Sequence, residues 1–229
     1  MSLIFRGDVH TPSQFYDRGP YSNHANQATA ANQPSIVSGL FGSGPGYNFD
    51  GSAQPNNDHF IITAAASINS IAQMSGLFWV MFDTAGADVR LFDKKHGTDG
   101  GKFFYRTSTN TLNFTAEYDG GVHAVATSTD TLSALVPYCI GFTWEHGSAP
   151  KLFINGKEPA YGTQTAGTGA LRSDSAKDLW IGSQNVGGTP MAFDGKMGSV
   201  RMWNTAKTVL EFQRTYSRSF GQATAICKA

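Results

Sequence analysis

The sequence predicts an all-β, antiparallel two-sheet β-sandwich with one short C-terminal helix, and three observations carry that prediction. From Pro45 onward, short segments rich in aromatic and β-branched residues recur between clusters of Gly, Asn and Asp, the spacing of an all-β domain. Several of these segments alternate apolar and polar residues with a period of two. Only one stretch, after Thr208, has helical periodicity, so there are no crossover helices to join parallel strands.

Taken in order, residues 77–82 (LFWVMF) are apolar on both faces, and their length and aromatic content predict a central strand. Residues 102–106 (KFFYR) and 111–118 (TLNFTAEY) make a hairpin across the turn 107–110. In the second of these, Leu112, Phe114, Ala116 and Tyr118 share one face and Thr111, Asn113, Thr115 and Glu117 the other. That is the pattern of a half-buried strand with a wet outer face. Tyr138, Ile140, Phe142 and Trp144 fall at every second position of another strand. After residues 151–155 (KLFIN), Asn155-Gly156 supplies the two positive-φ residues of a type I′ turn, with residues 157–161 returning. Residues 178–182 (DLWIG) and 198–203 (GSVRMW) complete the strands. Thr208-x-x-Glu211 is a capping box, followed by Val209, Phe212 and Tyr216 at helical spacing.

Residues 1–35 are rich in Asn, Gln, Ser, Ala and Pro, with isolated aromatics at Phe5, Phe15, Tyr16 and Tyr21. Such a stretch reads as an extended N-terminal arm, either a coil draped over the domain or an arm that orders on a partner. The domain itself is expected over residues 36–220, with a C-terminal tail at 221–229. Formal net charge is zero, which argues against electrostatic capture of nucleic acid or an anionic membrane. The N-terminus lacks the pattern of a secretory signal, and the longest apolar run is strand-sized, too short for a membrane span. Cys139, in the apolar run PYCIGF, reads as a small core residue and Cys227 as a free thiol, consistent with a reducing cytoplasm as the place of synthesis.

Four stretches, in order, resemble the laminin-G-like, concanavalin A-like jelly rolls. Residues 192–216 (AFDGKMGSVRMWNTAKTVLEFQRTY) resemble the closing strand and helix of that family: an aromatic-Asp-Gly turn, a strand ending in an aliphatic-Arg-apolar-Trp-Asn run, then a helix with Glu and Tyr. Residues 46–51 (GYNFDG), 151–157 (KLFINGK) and 178–184 (DLWIGSQ) agree with it in order. The likeness covers residues 35–218 and implies a jelly roll whose first and last strands are neighbours. The two Phe-Asp-Gly turns, at 49–51 and 193–195, would then lie side by side. Asp50 and Asp194 read as turn-formers. The rival reading, calcium held with Asp58, meets the need for six to eight oxygens with no compact D-x-D-x-D run.

The resemblance also admits glycan-cleaving enzymes, which need two carboxyls at a fixed separation. In the laminarinase-like relatives these lie on one strand as Glu-x-Asp-x-x-Glu or Glu-x-Asp-x-Glu. Glu117-Tyr118-Asp119 begins such a run, but Gly120-Gly121-Val122 follows without a second Glu. There is no G-x-S-x-G elbow, H-E-x-x-H site or Walker loop, and the histidines at 10, 24, 59, 96, 123 and 146 are scattered. No catalytic, cofactor-binding or metal-ligating residue is therefore assigned. Trp79, Trp144, Trp180 and Trp203 sit among apolar strand residues, which favours core packing over sugar platforms. The polar, glycine-rich loops 93–101 and 119–123 are the better ligand candidates.

Two non-enzymatic readings follow. One is a structural or attachment protein of a virion, a bacteriophage capsid decoration or tail component, acting through the jelly-roll surface and the N-terminal arm as a homo-oligomer beside neighbouring virion proteins. The other, implied by the resemblance, is a carbohydrate-binding, lectin-like module with glycans as partners, with or without calcium.

Overall fold

The computed structural model describes residues 3–38, 45–52, 57–94, 101–184 and 191–226, with the side chains of 3–10 and 218–226 left aside. The strands run in chain order as β1 (Leu3–Thr11), β2 (Gln14–Asp17), β3 (Ala25–Asn26), β4 (Ser35–Val37), β5 (Gly46–Asp50) and β6 (Phe60–Ile62). Next come β7 (Gln73–Phe82), β8 (Val89–Asp93), β9 (Lys102–Arg106), β10 (Thr111–Ala116), β11 (Tyr118–Asp119) and β12 (Ala124–Thr131). β13 (Pro137–Glu145), β14 (Lys151–Ile154), β15 (Tyr161–Thr165), β16 (Ala170–Leu171), β17 (Leu179–Ile181) and β18 (Asp194–Trp203) follow, then the helix α1 (Val209–Ile226).

One layer has the order β14-β13-β7-β18, with β5 also on β18 and β4 on β5. The other has the order β6-β17-β8-β9-β10-β12-β15. β1 links the layers: its first half pairs with β18, and its second half pairs with β2, which continues through β3 to β6. All of these pairings are antiparallel, as the absence of crossover helices requires.

Aromatic side chains from both layers meet between them. Phe142 of β13 lies 4.3 Å from Phe114, 5.1 Å from Phe104 and 5.4 Å from Phe92, centroid to centroid. β7 is the central strand its apolar run predicts, flanked by β13 and β18. The Asn155-Gly156 turn has the expected positive φ at both residues, 50° and 77°. Its return differs from expectation, since only Lys157 bridges back to Ile154 and β15 pairs with β12 instead.

The N-terminal segment is not a free arm. Its backbone supplies β1 to β4, and Phe15 is fully buried against Tyr47 and Phe60. The reason is geometric: β18 offers an edge that β1 fills, satisfying backbone groups that would otherwise stay unpaired. The helix is also longer than expected, running through Ile226 rather than ending before a tail at 221. It starts as predicted, with the Thr208 amide donating to Glu211 Oε2 at 2.9 Å and the Glu211 amide to Thr208 Oγ1 at 3.3 Å.

α1 lies on the outer side of the first layer and makes a second, smaller core there. Phe212 stacks on Phe153 at 4.2 Å, over Leu77, Cys139 and Trp203. Gly141 permits this approach, because a Cβ there would run into the Phe212 ring. Cys139 is thus buried under the helix, not between the sheets, and burial pushes its thiol well above the ordinary range. In a Cys227→Ser background, Cys139 should resist a thiol reagent until denaturant is added. Rapid labelling of the native protein would show instead that α1 lifts off.

Candidate functional site

The outward face of the second layer gathers the residues best suited to hold a ligand. Ile181, Phe92, Phe104 and Phe114 point into the core, so alternation turns their strand neighbours outward. Cross-strand pairing puts Ile61, Trp180, Asp93, Phe103, Thr115 and Val125 in one continuous row on that face. A parallel row runs through Arg90, Tyr105, Asn113 and Thr127.

This face is largely buried, which corrects the expectation of a wet outer surface on β10. Asn113, Thr115 and Glu117 are only 6%, 8% and 5% exposed. Asn113 and Thr115 bond within the layer, and Glu117 faces Arg172. Asn113 Nδ2 donates to Thr127 Oγ1 at 2.6 Å, and Thr115 Oγ1 donates to Asn113 Oδ1 at 2.9 Å.

Arg90 organises the aromatic flank of β9. Its guanidinium carbon sits 4.0 Å from the Phe103 ring centroid and 4.5 Å from that of Tyr105, and its Nε lies 3.3 Å from Asp93. Such cation–π contacts gain strength when desolvated. Burial lowers the Arg90 pKa, and the Asp93 charge opposes that shift. Beside it, Trp180 stacks on His59 at 4.2 Å with an interplanar angle of 11°. His59 is buried, and desolvation lowers its pKa. The ring is fixed by contacts of Nδ1 with Asn57 O at 2.8 Å and of Nε2 with Gln27 at 2.7 Å.

Trp180 is thus not a core residue, although Leu179 and Ile181 beside it are. The signal was present: in a three-residue strand with buried ends, the middle residue must face the other way. Trp144 lies in the main core, Trp203 under α1, and Trp79 packs against Tyr216 of the helix.

Arg172 holds both carboxylates of the incomplete enzyme-like run. Its Nε lies 2.7 Å from Asp119 Oδ1 and its Nη1 lies 3.5 Å from Glu117 Oε2. The β11–β16 pairing brings them together. The candidate loop 119–123 is tied down as well, with Thr168 N donating to Val122 O at 2.9 Å. Of the loop 93–101, residues 95–100 lie outside the described residues, whereas Asp93 and Lys94 are buried.

Lys94 and Lys102 lie at the ends of β8 and β9, and Lys102 turns inward, its Nζ 5.6 Å from the ring centroid of the core residue Trp144. Lys94 Nζ donates to Asn69 Oδ1, Asp174 O and Lys177 O at 3.0, 3.0 and 2.6 Å. Burial pulls its pKa down to about 8. Lys102 Nζ lies 2.7 Å from Asp174 Oδ2, and both side chains are inaccessible.

The two Phe-Asp-Gly turns do lie side by side, with Asp194 paired directly to Asp50. Asp50 Oδ1 accepts from Ser52 N at 2.9 Å, the turn bond expected of it, and Asp58 Oδ2 accepts from Asp50 N at 2.9 Å. Among the described residues no cluster of His, Cys, Asp and Glu has the arrangement to hold a metal ion. Burial, with the Asp50 charge adding to it and the Asp50 amide bond opposing it, raises the Asp58 pKa to about 6. A carboxyl whose pKa is higher folded than unfolded contributes most stability below its unfolded value and loses it as pH rises through the folded one. Asp58→Asn should therefore gain stability relative to the native protein between about pH 4 and about pH 7. Urea midpoints that keep a constant gap across that window would refute this.

Comparison with known proteins fits this architecture. Residues 27–212 match the concanavalin A-like lectin/glucanases superfamily. The chain belongs to this family. No curated protein matches the sequence. Among solved structures, this superfamily member is similar to the binding domain of Paraclostridial Mosquitocidal Protein 1, with TM-score 0.72 and 13% identity over 95% of this chain and 52% of the other. It is similar to botulinum neurotoxin type C, in a structure concerned with cell entry through two ganglioside molecules, with TM-score 0.67 and 12% identity over 95% and 51%. Trypanosoma rangeli sialidase gives TM-score 0.62 and 15% identity over 93% of this chain and 32% of the enzyme. At these identities the likeness is one of fold, and the chain spans about half the length of the first two structures.

Proposed function

We propose that the protein is a carbohydrate-binding domain that takes a glycan on the outward face of the second layer, without catalysis. One observation carries this reading. Three donors on that face, Trp180 Nε1 and the Nε and Nη1 of Arg90, are buried with no hydrogen-bond partner among the described residues, although Arg90 Nε lies beside the Asp93 carboxylate. An unmet buried donor costs about 1–3 kcal/mol, and a small side-chain shift that admits a ligand oxygen or a water would satisfy it. Around them stand the Trp180 and Tyr105 rings and the polar groups of Asn113 and Thr115, the mixture of aromatic surface and few placed polar groups that fits a sugar.

Superfamily membership and the ganglioside-linked structural neighbour support the same reading. The Arg172 guanidinium beside Glu117 and Asp119 supports binding over hydrolysis, since it gives both carboxylates an ion-pair partner. The virion reading loses its main argument, because the segment expected to reach a neighbour is built into the sheet.

A glycan array, run with and without calcium, tests the proposal. The native protein should bind a defined subset, and Trp180→Ala should weaken that binding about tenfold or more. An array silent under both conditions would end the carbohydrate reading.

A further inference from the structure

The turn between β1 and β2 and the strand β3 form a recess, some way along the same face from Trp180. It is a shallow, open groove of ≈ 460 Å³ lined by Thr11, Ser13, Gln14, Asn26, Gln27 and Ala28. None of these residues is charged, and only Ala28 is apolar, so the groove has hydroxyls and amides and little else. Gln14 Nε2 donates to Asn26 Oδ1 at 2.9 Å, and the Thr11 and Ser13 hydroxyls are 3.1 Å apart.

The groove is held rigid from below. The Tyr47 hydroxyl lies 2.8 and 2.6 Å from the carbonyl oxygens of Thr11 and Gln14. Gln27 N donates to Ser13 O at 2.8 Å, so β3 is fastened to the turn. Beyond the lining, Tyr16 lies two positions along β2 from Gln14 and so on the same face; it stacks on His24 at 4.3 Å and is 39% exposed. His24 is fixed by the Asp17 amide, which donates to its Nδ1 at 3.1 Å. Asp17 in turn accepts from Gly19 N and Asn23 N at 2.7 and 2.8 Å, which sets the loop behind the rings.

We propose that this groove is a saccharide subsite for an uncharged sugar unit, with Tyr16 as the stacking platform and Gln14 and Asn26 as the amide contacts. An anion would find no cation among the described lining residues, and an apolar ligand would desolvate the paired amides and the two hydroxyls without offering them a new partner. Direct pairing of Gln14 with Asn26, Asn26 with Ile61 and Ile61 with Trp180 puts the two sites on one face. Three strand spacings, about 14 Å, separate them. The inference rests on the glycan reading above for its ligand class and adds to it a second contact point for a longer chain.

The test is an isotope-edited NMR titration of the full chain with cellobiose, maltose, lactose and N,N′-diacetylchitobiose, beside glucuronate and trialanine. At least one neutral disaccharide should shift the side-chain amides of Gln14 and Asn26, half-saturating on the order of millimolar. Tyr16→Ala should weaken that response tenfold or more with the remaining spectrum unchanged. Gln14→Ala should abolish the Asn26 shift. If no disaccharide moves these amides, or if glucuronate or trialanine moves them equally, the subsite is refuted. The Trp180 Nε1 resonance separates the two claims. Its movement alone would sink the subsite and leave the glycan reading, whereas movement of Gln14 and Asn26 alone would keep the subsite and remove Trp180 from the reading.

Discussion

Asp174→Ala should destabilise the domain by about 3–5 kcal/mol. Asp174 is inaccessible to solvent and its Oδ2 lies 2.7 Å from Lys102 Nζ, which is equally buried. Its Oδ1 also accepts from Ser70 N at 2.6 Å. Removing the carboxylate strands an ammonium in the interior and leaves an amide without its acceptor, and both penalties fall on the folded state alone. Lys94, whose ammonium is wrapped by the carbonyl oxygens of Asp174 and Lys177, would lose the nearby negative charge that keeps it protonated. Urea denaturation should show a lower midpoint at similar slope. Removing both charges, with Lys102→Met and Asp174→Leu together, should recover part of the loss, because an apolar pair has no charge left to solvate. A loss below about 1 kcal/mol for the single variant would mean that water reaches Lys102.

Phe142→Ala should cost a comparable amount, about 3–5 kcal/mol, for a different reason. Phe142 is fully buried and touches rings from three strands of the opposite layer, with Phe114 at 4.3 Å in a stacked geometry. Gly76 lies directly across from it on β7 and contributes no side chain that could move into the space. The cavity would therefore persist, and a persistent cavity adds to the lost transfer energy. Phe142→Leu should cost clearly less. Equal losses for the two variants would show that the rings around Phe142 can repack.

Much of this fold was legible because period two and turn chemistry are local signals. The alternation of Tyr138, Ile140, Phe142 and Trp144, the Asn155-Gly156 pair and the Thr208–Glu211 box each become the element they encode. The N-terminal strands were missed because Gln, Asn and Ser dilute the pattern there, although Phe5 and Val9 do alternate with Arg6, Asp8 and His10. What made them strands was an edge of β18, a partner that lies far along the chain. The binding face was missed for a related reason. Trp180 neighbours apolar residues in sequence, and burial was read from that company, while Phe103 and Tyr105 carry no signal of their own within the KFFYR strand. Strand alternation sends them outward, and only cross-strand register brings them together. The burial of Asn113 and Thr115 depends on more than one strand at once, which no single segment can reveal.

The pairing of β1 with β18 has a consequence for how the chain reaches its native state. Leu3 pairs with Trp203, so nearly the whole described sequence lies between partners. During synthesis the earliest strand must wait, with one ladder unmade, until the latest has emerged. A topology so rich in non-local pairs folds slowly, and its unpaired edges invite contact between chains in the meantime. Once β1 is zipped in, it joins the two layers as a single hydrogen-bonded path. Fraying at one end of the molecule should then be felt in both sheets, and amide exchange should find β1 and β18 opening together.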